Sequence, residues 1–203
     1  MAVIRPLVIC SLLAVGIWQI ADATTIQAKA RLGQLLMERA WDRSRERDEP
    51  VQPWPGSVSH PIARLQVPEL EVDHLVLDGA DTPVLAWGPG MEIGPNGHRL
   101  IAAHRDTHFR FLEDLKLGAE VRLELASGAV ENWRVVNQQI VDARRIGLDL
   151  AASGHQMTWV TCWPFDALQA GGPMRLLVTL DRTIEPPTLP AQLAAIDPIG
   201  VQP

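Results

Sequence analysis

Three side chains that can carry out acyl-transfer chemistry stand at the ends of predicted β-strands. His104 closes the apolar segment LIAAH, Cys162 closes TWVTC and Arg175 opens RLLVTL. A cysteine attacks a carbonyl as its thiolate, so it needs a basic partner or a lowered pKa. A histidine can act as that base and then protonate a leaving amine. An arginine stays charged and can hold an oxyanion, so the three types together suffice for acyl transfer.

Each of these residues also has a structural interpretation. Cys162 can be a buried core thiol and His104 a hydrogen-bonded structural histidine. Arg175 can pair with a surface carboxylate such as Asp181 or Glu185. A non-enzymatic β-domain that binds a partner is therefore an alternative, and it predicts that Cys162 resists alkylation in the folded protein.

A zinc site is a second alternative. His104 and His108 stand four residues apart, and Cys162 could supply a third ligand. A helical pair of this kind needs both histidines on one helix face, whereas His104 ends a predicted strand. Position 105 is arginine, where a metalloprotease motif has its glutamate. We therefore expect no metal and no cofactor.

Composition indicates one exported domain without a disulfide framework. The chain has 203 residues, 47% of them apolar, which suits a single domain with its own core. A net charge of −6 argues against a nucleic-acid partner. Of the two cysteines, Cys10 lies in an N-terminal apolar run, so it is not expected to meet Cys162 in one folded domain.

The N-terminal region predicts an anchor followed by a helical stalk. Residues 7–21, LVICSLLAVGIWQIA, follow Arg5, and we interpret 1–23 as a signal anchor with the N-terminus inside the cell. A cleaved signal peptide is the alternative, because an Ala-Asp-Ala sequence ends the run. Residues 24–60 are expected to form a helix and a Pro-rich linker. The predicted apolar stripe of the helix comprises Leu32, Leu35, Leu36, Ala40 and Trp41.

From residue 61 the pattern becomes β, which predicts a β-domain over 61–185, the part that carries the three candidate residues, and a Pro-rich tail over 186–203. A short helix is expected over 106–115, with Asp106 or Thr107 as its N-cap, and a Gly/Pro stretch over 88–97 separates two predicted strands. About eight strands with little helix between them favour an all-β, closed or nearly closed barrel. The predicted strands are 62–67, 70–77, 83–87, 98–104, 119–125, 129–143, 155–162 and 171–184.

The segments around the three chemical residues resemble one family. IAAHRDTHFRFLEDL resembles the sortase segment around the catalytic histidine, and TWVTCWPFDA resembles the Thr-Leu-x-Thr-Cys signature. GGPMRLLVTL is similar to the region that carries the essential arginine on the next strand. The resemblance covers roughly residues 50–184. The HRDTHF form and the short chain look like the Gram-negative sortases, called class GN or marine proteobacterial type.

The resemblance implies a cysteine transpeptidase on an eight-stranded β-barrel. Cys162 would attack the carbonyl after threonine in an LPxTG-like C-terminal sorting signal of a surface protein. The thioacyl-enzyme would then pass to an amine acceptor, with His104 as general acid and base and Arg175 at the oxyanion or substrate backbone. The location implied is the inner membrane, crossed once, with the catalytic domain in the periplasm. A peptidase that hydrolyses the same intermediate is the closest alternative.

Supporting roles follow from the same resemblance. Thr161 matches a position whose hydroxyl supports the site. Asp106 would orient His104 or cap the following helix, and we favour the cap. Trp163 replaces a common tyrosine and would line the substrate groove or stand on its rim. Trp159 replaces leucine and would repack the barrel wall.

Overall fold

A closed eight-stranded barrel forms the body of the molecule. The computed structural model describes residues 4–147, 153–169 and 171–183. Two α-helices accompany the barrel, α1 (Ile4–Arg47) and α2 (Thr82–Leu85), together with 3₁₀ helices at Pro68–Leu70 and Arg110–Glu113. The strands are β1 (Pro61–Val67), β2 (Val72–Asp78), β3 (Gly90–Ile93), β4 (Arg99–Ala102), β5 (Glu120–Leu125), β6 (Val130–Asp142), β7 (Gln156–Cys162) and β8 (Met174–Thr183).

Alternation along the strands builds the core. In β1 and β7 every second residue is buried, because successive side chains point to opposite faces of a strand. The interior is filled by large apolar side chains that include Leu65, Ile101, Trp133, Trp159 and Leu180. The predicted all-β barrel is thereby confirmed.

Strand order brings two chain-distant strands together. The barrel runs β1-β2-β3-β4-β7-β8-β6-β5, so β7 lies between β4 and β8. β4 and β7 are parallel, while β7 and β8 are antiparallel. Because parallel strands end at the same edge of a sheet, the residues that follow β4 and those that end β7 meet at one rim of the barrel.

Two local predictions were wrong. Residues 83–87 are expected as a strand, but 83–85 lie in the helix α2, since Pro83 in its first turn has the backbone angle that a helix start requires. The Gly/Pro stretch over 88–97, for which no element is predicted, contains β3. The expected helix over 106–115 is only the 3₁₀ helix Arg110–Glu113, whose N-cap is Phe109 without a side-chain bond, so neither Asp106 nor Thr107 caps it.

Helix α1 packs against the barrel along a face that overlaps only part of the predicted stripe. Leu32 and Leu35 are 55% and 48% exposed, whereas Ala40 and Trp41 of the same stripe are buried. The buried face also includes Gly33, Met37 and Ser44, and Met37 and Trp41 pack with Leu75, Leu77 and Val84. Within the described part of the chain, no helix has a stretch long and apolar enough to span a membrane.

Polar contacts fasten the same helix to the barrel. The Arg64 guanidinium on β1 forms an ion pair with Glu38 of α1. Arg45 of α1 pairs with Glu124 of β5 at 2.9 Å. Gln34 Nε2 donates to the Trp87 carbonyl at 3.0 Å. These contacts attach one end of α1 to three separate parts of the barrel domain. The predicted tail, 186–203, lies outside the described residues.

A buried ion pair crosses the barrel at the end away from Cys162. Arg99 Nη2 of β4 lies 2.7 Å from Glu131 Oε1 of β6, and the Arg99 guanidinium also stands over the Trp133 ring at 5.6 Å. Arg182 of β8 lies 3.4 Å from the same Glu131 oxygen. Glu131 is only 5% exposed, so its charge depends on these two arginines.

Candidate active site

Cys162 and Arg175 face each other across neighbouring strands. They are paired residues in the antiparallel ladder of β7 and β8, at the rim where β7 ends. Cys162 is a free thiol with partial exposure, so solutes can reach it. Antiparallel partners have Cα atoms about 4.5–5.5 Å apart. The pairing therefore brings a nucleophile and a permanent cation to one place.

His104 reaches the same rim from β4. The register between β4 and β7 pairs Ala102 with Val160, and it persists beyond the strand, because the Ala103 amide donates to the Val160 carbonyl at 3.3 Å. The Thr161 hydroxyl then donates to the Ala103 carbonyl at 2.8 Å. One residue further, the same register sets His104 level with Cys162. His104 is exposed, so its imidazole is accessible to a ligand at this rim.

The Arg175 guanidinium bonds backbone carbonyls of its own loop. Nη1 donates to the Gly172 carbonyl at 2.5 Å and to the Met174 carbonyl at 2.9 Å. Among the described residues no carboxylate forms an ion pair with it, and Asp181 instead accepts a bond from Gln156 at 3.2 Å. The surface ion pair that would explain Arg175 structurally is therefore not formed with Asp181. Glu185, the other suggested partner, lies outside the described residues.

Arg105, which the sequence interpretation overlooked, joins the two loops of the site. It follows His104 directly and is only 6% exposed. Its Nη1 donates to the Pro164 carbonyl at 2.7 Å. Its Nη2 donates to the carbonyls of Ala167 at 2.8 Å and Gln169 at 3.2 Å. The only signal in the sequence was an arginine next to the candidate histidine.

Comparison with known proteins agrees with this geometry. The family model described as "Sortase domain" matches residues 65–183, which include all three candidate catalytic residues. The chain belongs to the sortase family.

Individual sortases are also similar to this chain. Sortase D of Bacillus subtilis (strain 168) is 27% identical over 120 residues, which is 56% of this chain and 60% of that protein. The structure of sortase A from Corynebacterium diphtheriae superposes with a TM-score of 0.54 at 26% identity, covering 64% of each chain. The Clostridium perfringens Sortase D5 transpeptidase gives a TM-score of 0.54 at 18% identity, covering 75% of this chain and 99% of that one, and shows the fold alone. The chain thus spans less than two thirds of the first two relatives.

Asp106 of this sortase has a different contact from either predicted one. Its Oδ1 accepts a bond from Arg105 Nε at 3.2 Å, and its side chain is largely exposed. Over the parts of the chain described by the structure, Asp106 forms no bond with His104. The preferred prediction, a helix cap, is wrong because the chain makes turns here and enters its 3₁₀ helix only at Arg110.

The two tryptophans that depart from the sortase signature occupy different environments. Trp159 is fully buried and packs on Phe109 and Phe111, with ring centroids 5.7 and 5.9 Å away. Trp163 is half-buried, stands edge-on to Phe165 at 5.5 Å, and lines a cavity of about 260 Å³. The remaining lining residues are Leu112, Glu113, Gln138, Gln139, Ile140, Phe165 and Leu176.

Two further histidines lie beside the site of this sortase. The rings of His74 and His108 meet edge-on with centroids 5.4 Å apart. The pKa of His108 is lowered to about 4, first because burial disfavours the imidazolium and then because His74 and His104 are near. Burial also lowers the pKa of His74. In the described residues no three His, Cys, Asp or Glu side chains are grouped as a metal site would require.

Proposed function

We propose that this sortase is a cysteine transpeptidase that cleaves an LPxTG-like C-terminal sorting signal of a surface protein and transfers the product to an amine. The supporting observation is the convergence of Cys162, Arg175 and His104 at one rim of the barrel through the registers of β7 with β8 and with β4. Family membership supports the same assignment.

The reaction needs one nucleophile, one proton carrier and one cation. In the first step a bond forms between Cys162 Sγ and the substrate carbonyl carbon, and the C–N bond breaks while His104 gives its proton to the leaving amine. In the second step the acceptor amine attacks the thioester, His104 takes its proton, and the thiolate leaves. Arg175 would donate to the carbonyl oxygen as negative charge develops.

Peptide cleavage tests this proposal directly. The substrate is a fluorescent peptide with an LPxTG-like signal, assayed with and without triglycine as the amine. We expect an amide product in excess of free acid, a thioacyl adduct on Cys162 by mass spectrometry, and a loss of about 10³-fold or more in Cys162→Ala. Arg175→Ala should lose activity, whereas Arg134→Ala, an exposed arginine paired with Glu120, should not.

Two other outcomes would change the assignment. Release of free acid alone, whatever the amine concentration, would indicate a hydrolytic peptidase. If neither product forms with any LPxTG-like peptide and Cys162→Ala leaves the protein's function intact, the non-enzymatic alternative is supported.

The cellular setting is part of the same proposal. We propose a class GN enzyme held in the inner membrane by its N-terminal segment, with the barrel in the periplasm and one surface protein as its dedicated substrate. The apolar run over 7–21 behind Arg5 supports this orientation. Fractionation and protease accessibility in spheroplasts test it, and a barrel protected from protease until the inner membrane is ruptured would contradict it.

A further inference from the structure

A buried arginine connects the loop that carries His104 to the loop that follows Cys162. Arg105 uses Nη1 and Nη2 to donate to the carbonyls of Pro164, Ala167 and Gln169, which lie 59, 62 and 64 residues away in sequence. The first of these acceptors stands two residues after Cys162. The contact therefore joins the immediate neighbourhoods of the nucleophile and the proton carrier.

The chemistry of these contacts requires an arginine. A guanidinium is planar and directs its N–H groups as a rigid fork, so one side chain can satisfy several carbonyls at separate angles. A lysine ammonium carries a single nitrogen and reaches fewer of them. The loop after Cys162 also depends on these bonds, since the described residues 163–169 contain neither helix nor strand.

Burying a guanidinium is costly unless hydrogen bonds or an opposite charge compensate for its lost hydration, and here neutral carbonyls supply most of that compensation. The carboxylate that contacts Arg105 is Asp106, at 3.2 Å from Nε and itself 65% exposed. Surface arginines of this chain have a different arrangement: Arg110, on the same segment, is exposed and pairs with Glu113 at 2.9 Å. Arg105 is thus directed into the protein, whereas Arg110 faces solvent.

Two side-chain hydrogen bonds link the His104 segment to the Cys162 segment, one on each side of these two residues. On the N-terminal side, the Thr161 hydroxyl donates to the Ala103 carbonyl. On the C-terminal side, Arg105 donates to the Pro164 carbonyl. Because His104 and Cys162 lie between the two bonds, their separation is set from both sides.

We infer that Arg105 is a positioning residue that holds the loop after Cys162 against the His104 loop and so sets the geometry of the Cys162–His104 pair. This inference rests on the proposed function for its kinetic readout only. It concerns the residue's action through its neighbours, because the Arg105 side chain is buried and bonds the backbone of the loop after Cys162.

Cys162 alkylation supplies a test that does not depend on turnover. The variants are Arg105→Lys and Arg105→Met, with Arg110→Lys as the matched control on the same segment. We measure the rate of Cys162 modification by iodoacetamide against pH, because thiol reactivity reports the thiolate and its neighbours. We expect both Arg105 variants to shift or flatten the profile, and Arg110→Lys to reproduce the wild-type profile.

Peptide kinetics and thermal unfolding complete the test. A misplacement of about 1 Å costs on the order of 10²-fold in rate, so we expect kcat of Arg105→Lys to fall 10- to 100-fold with a smaller change in KM. Partial recovery of Arg105→Met with millimolar guanidinium would support the assignment further.

Several results would overturn the inference. One is an Arg105→Lys enzyme with a lower melting temperature but an unchanged alkylation profile, which would make the residue merely structural. Another is failure of both variants to fold, which would make Arg105 a folding residue. If the wild type cleaves no sorting peptide, the proposed function fails, while the alkylation profiles still decide the role of Arg105.

Discussion

The Thr161 hydroxyl donates a 2.8 Å hydrogen bond to the Ala103 carbonyl, joining the residue before Cys162 to the residue before His104. Thr161 is only 2% exposed, so this bond is shielded from water. The bond lies just beyond the last paired residue of β4, where the ladder alone no longer holds the chain. It thus extends the alignment of the two strands to Cys162 and His104.

Replacing this threonine should lower both stability and activity. Thr161→Val keeps the side-chain shape but leaves a buried carbonyl without its donor, which costs about 1–3 kcal/mol. Thr158→Val is the matched control, because Thr158 also lies on β7 and bonds His98 at 3.1 Å, away from the rim. Denaturant unfolding should show losses in both variants. Peptide cleavage per folded molecule should fall only in Thr161→Val, and equal activities would contradict the role of the bond.

The half-buried pair of His74 and His108 should make stability depend on pH. The folded pKa of His108 is about 4, below its ordinary value of 6.5. As the pH falls, His108 is therefore protonated in the unfolded chain before it is protonated in the folded chain. Its contribution to the free energy of unfolding is fully present above about pH 6.5 and is lost as the pH decreases towards 4. Because the His108 ring is partly accessible to solvent, we expect the free energy of unfolding to decrease by about 1 kcal/mol, which is less than the full pKa shift would give.

Urea unfolding between pH 4 and pH 8 measures this dependence. His108→Asn should reduce the loss of unfolding free energy at low pH, so that only the smaller loss caused by His74 remains. His155→Asn is the control, since His155 is exposed and should leave the slope unchanged. A slope that is the same in His108→Asn and in the wild type would refute the prediction.

The buried ion pair should be far more sensitive to substitution than a surface pair. Glu131→Gln leaves Arg99 without its charge partner inside the barrel, and breaking such a pair costs about 3–5 kcal/mol. Glu120→Gln breaks the exposed pair with Arg134 on the neighbouring strand and should cost less than about 1 kcal/mol. Denaturation midpoints of the two variants provide the comparison, and similar losses would show that Glu131 is well solvated.

A single methyl group should disturb the packing of α1. A Cβ on Gly33 would lie 2.5 Å from Trp87 Cζ3, and the Trp87 ring is itself packed on Trp54 with centroids 4.7 Å apart. We expect Gly33→Ala to destabilise the protein by about 1–3 kcal/mol. In Gly16→Ala the new methyl meets nothing within 4 Å, so this control should be neutral or gain about 0.5–1 kcal/mol. Melting temperatures that move in the same direction would argue against close packing at Gly33.

Regular alternation explains why much of the barrel was predictable. In β1 and β7 the period of two is unbroken, and the predicted bounds differ from the observed ones by one residue. β3 has no such pattern, because it has four residues and begins at a glycine whose Cβ would stand 2.1 Å from the Gly79 carbonyl. The position of β3 is therefore set by the close approach of two backbone segments, which the pattern of apolar residues does not reveal.

Contacts between distant segments explain the remaining errors. The packing face of α1 depends on Gly33. This glycine contributes no apolar side chain to the sequence pattern, yet the Trp87 ring occupies the space where a side chain would lie. Arg105 is charged and borders a turn, which indicates an exposed residue, but its acceptors come from a loop about 60 positions later. Cys162, His104 and Arg175 were found because their sequence surroundings resemble a family.

The docking of α1 determines where this protein can be shortened. A chain cut at residue 60, in front of the barrel, would leave Leu75, Leu77 and Val84 facing water, because Met37 and Trp41 would no longer cover them. It would also remove Glu38, one of the two carboxylates paired with Arg64, and Arg45, the partner of Glu124. The smallest unit that keeps its surfaces covered therefore begins before Gly33, and the last turns of the helix belong to the same folded unit as the barrel.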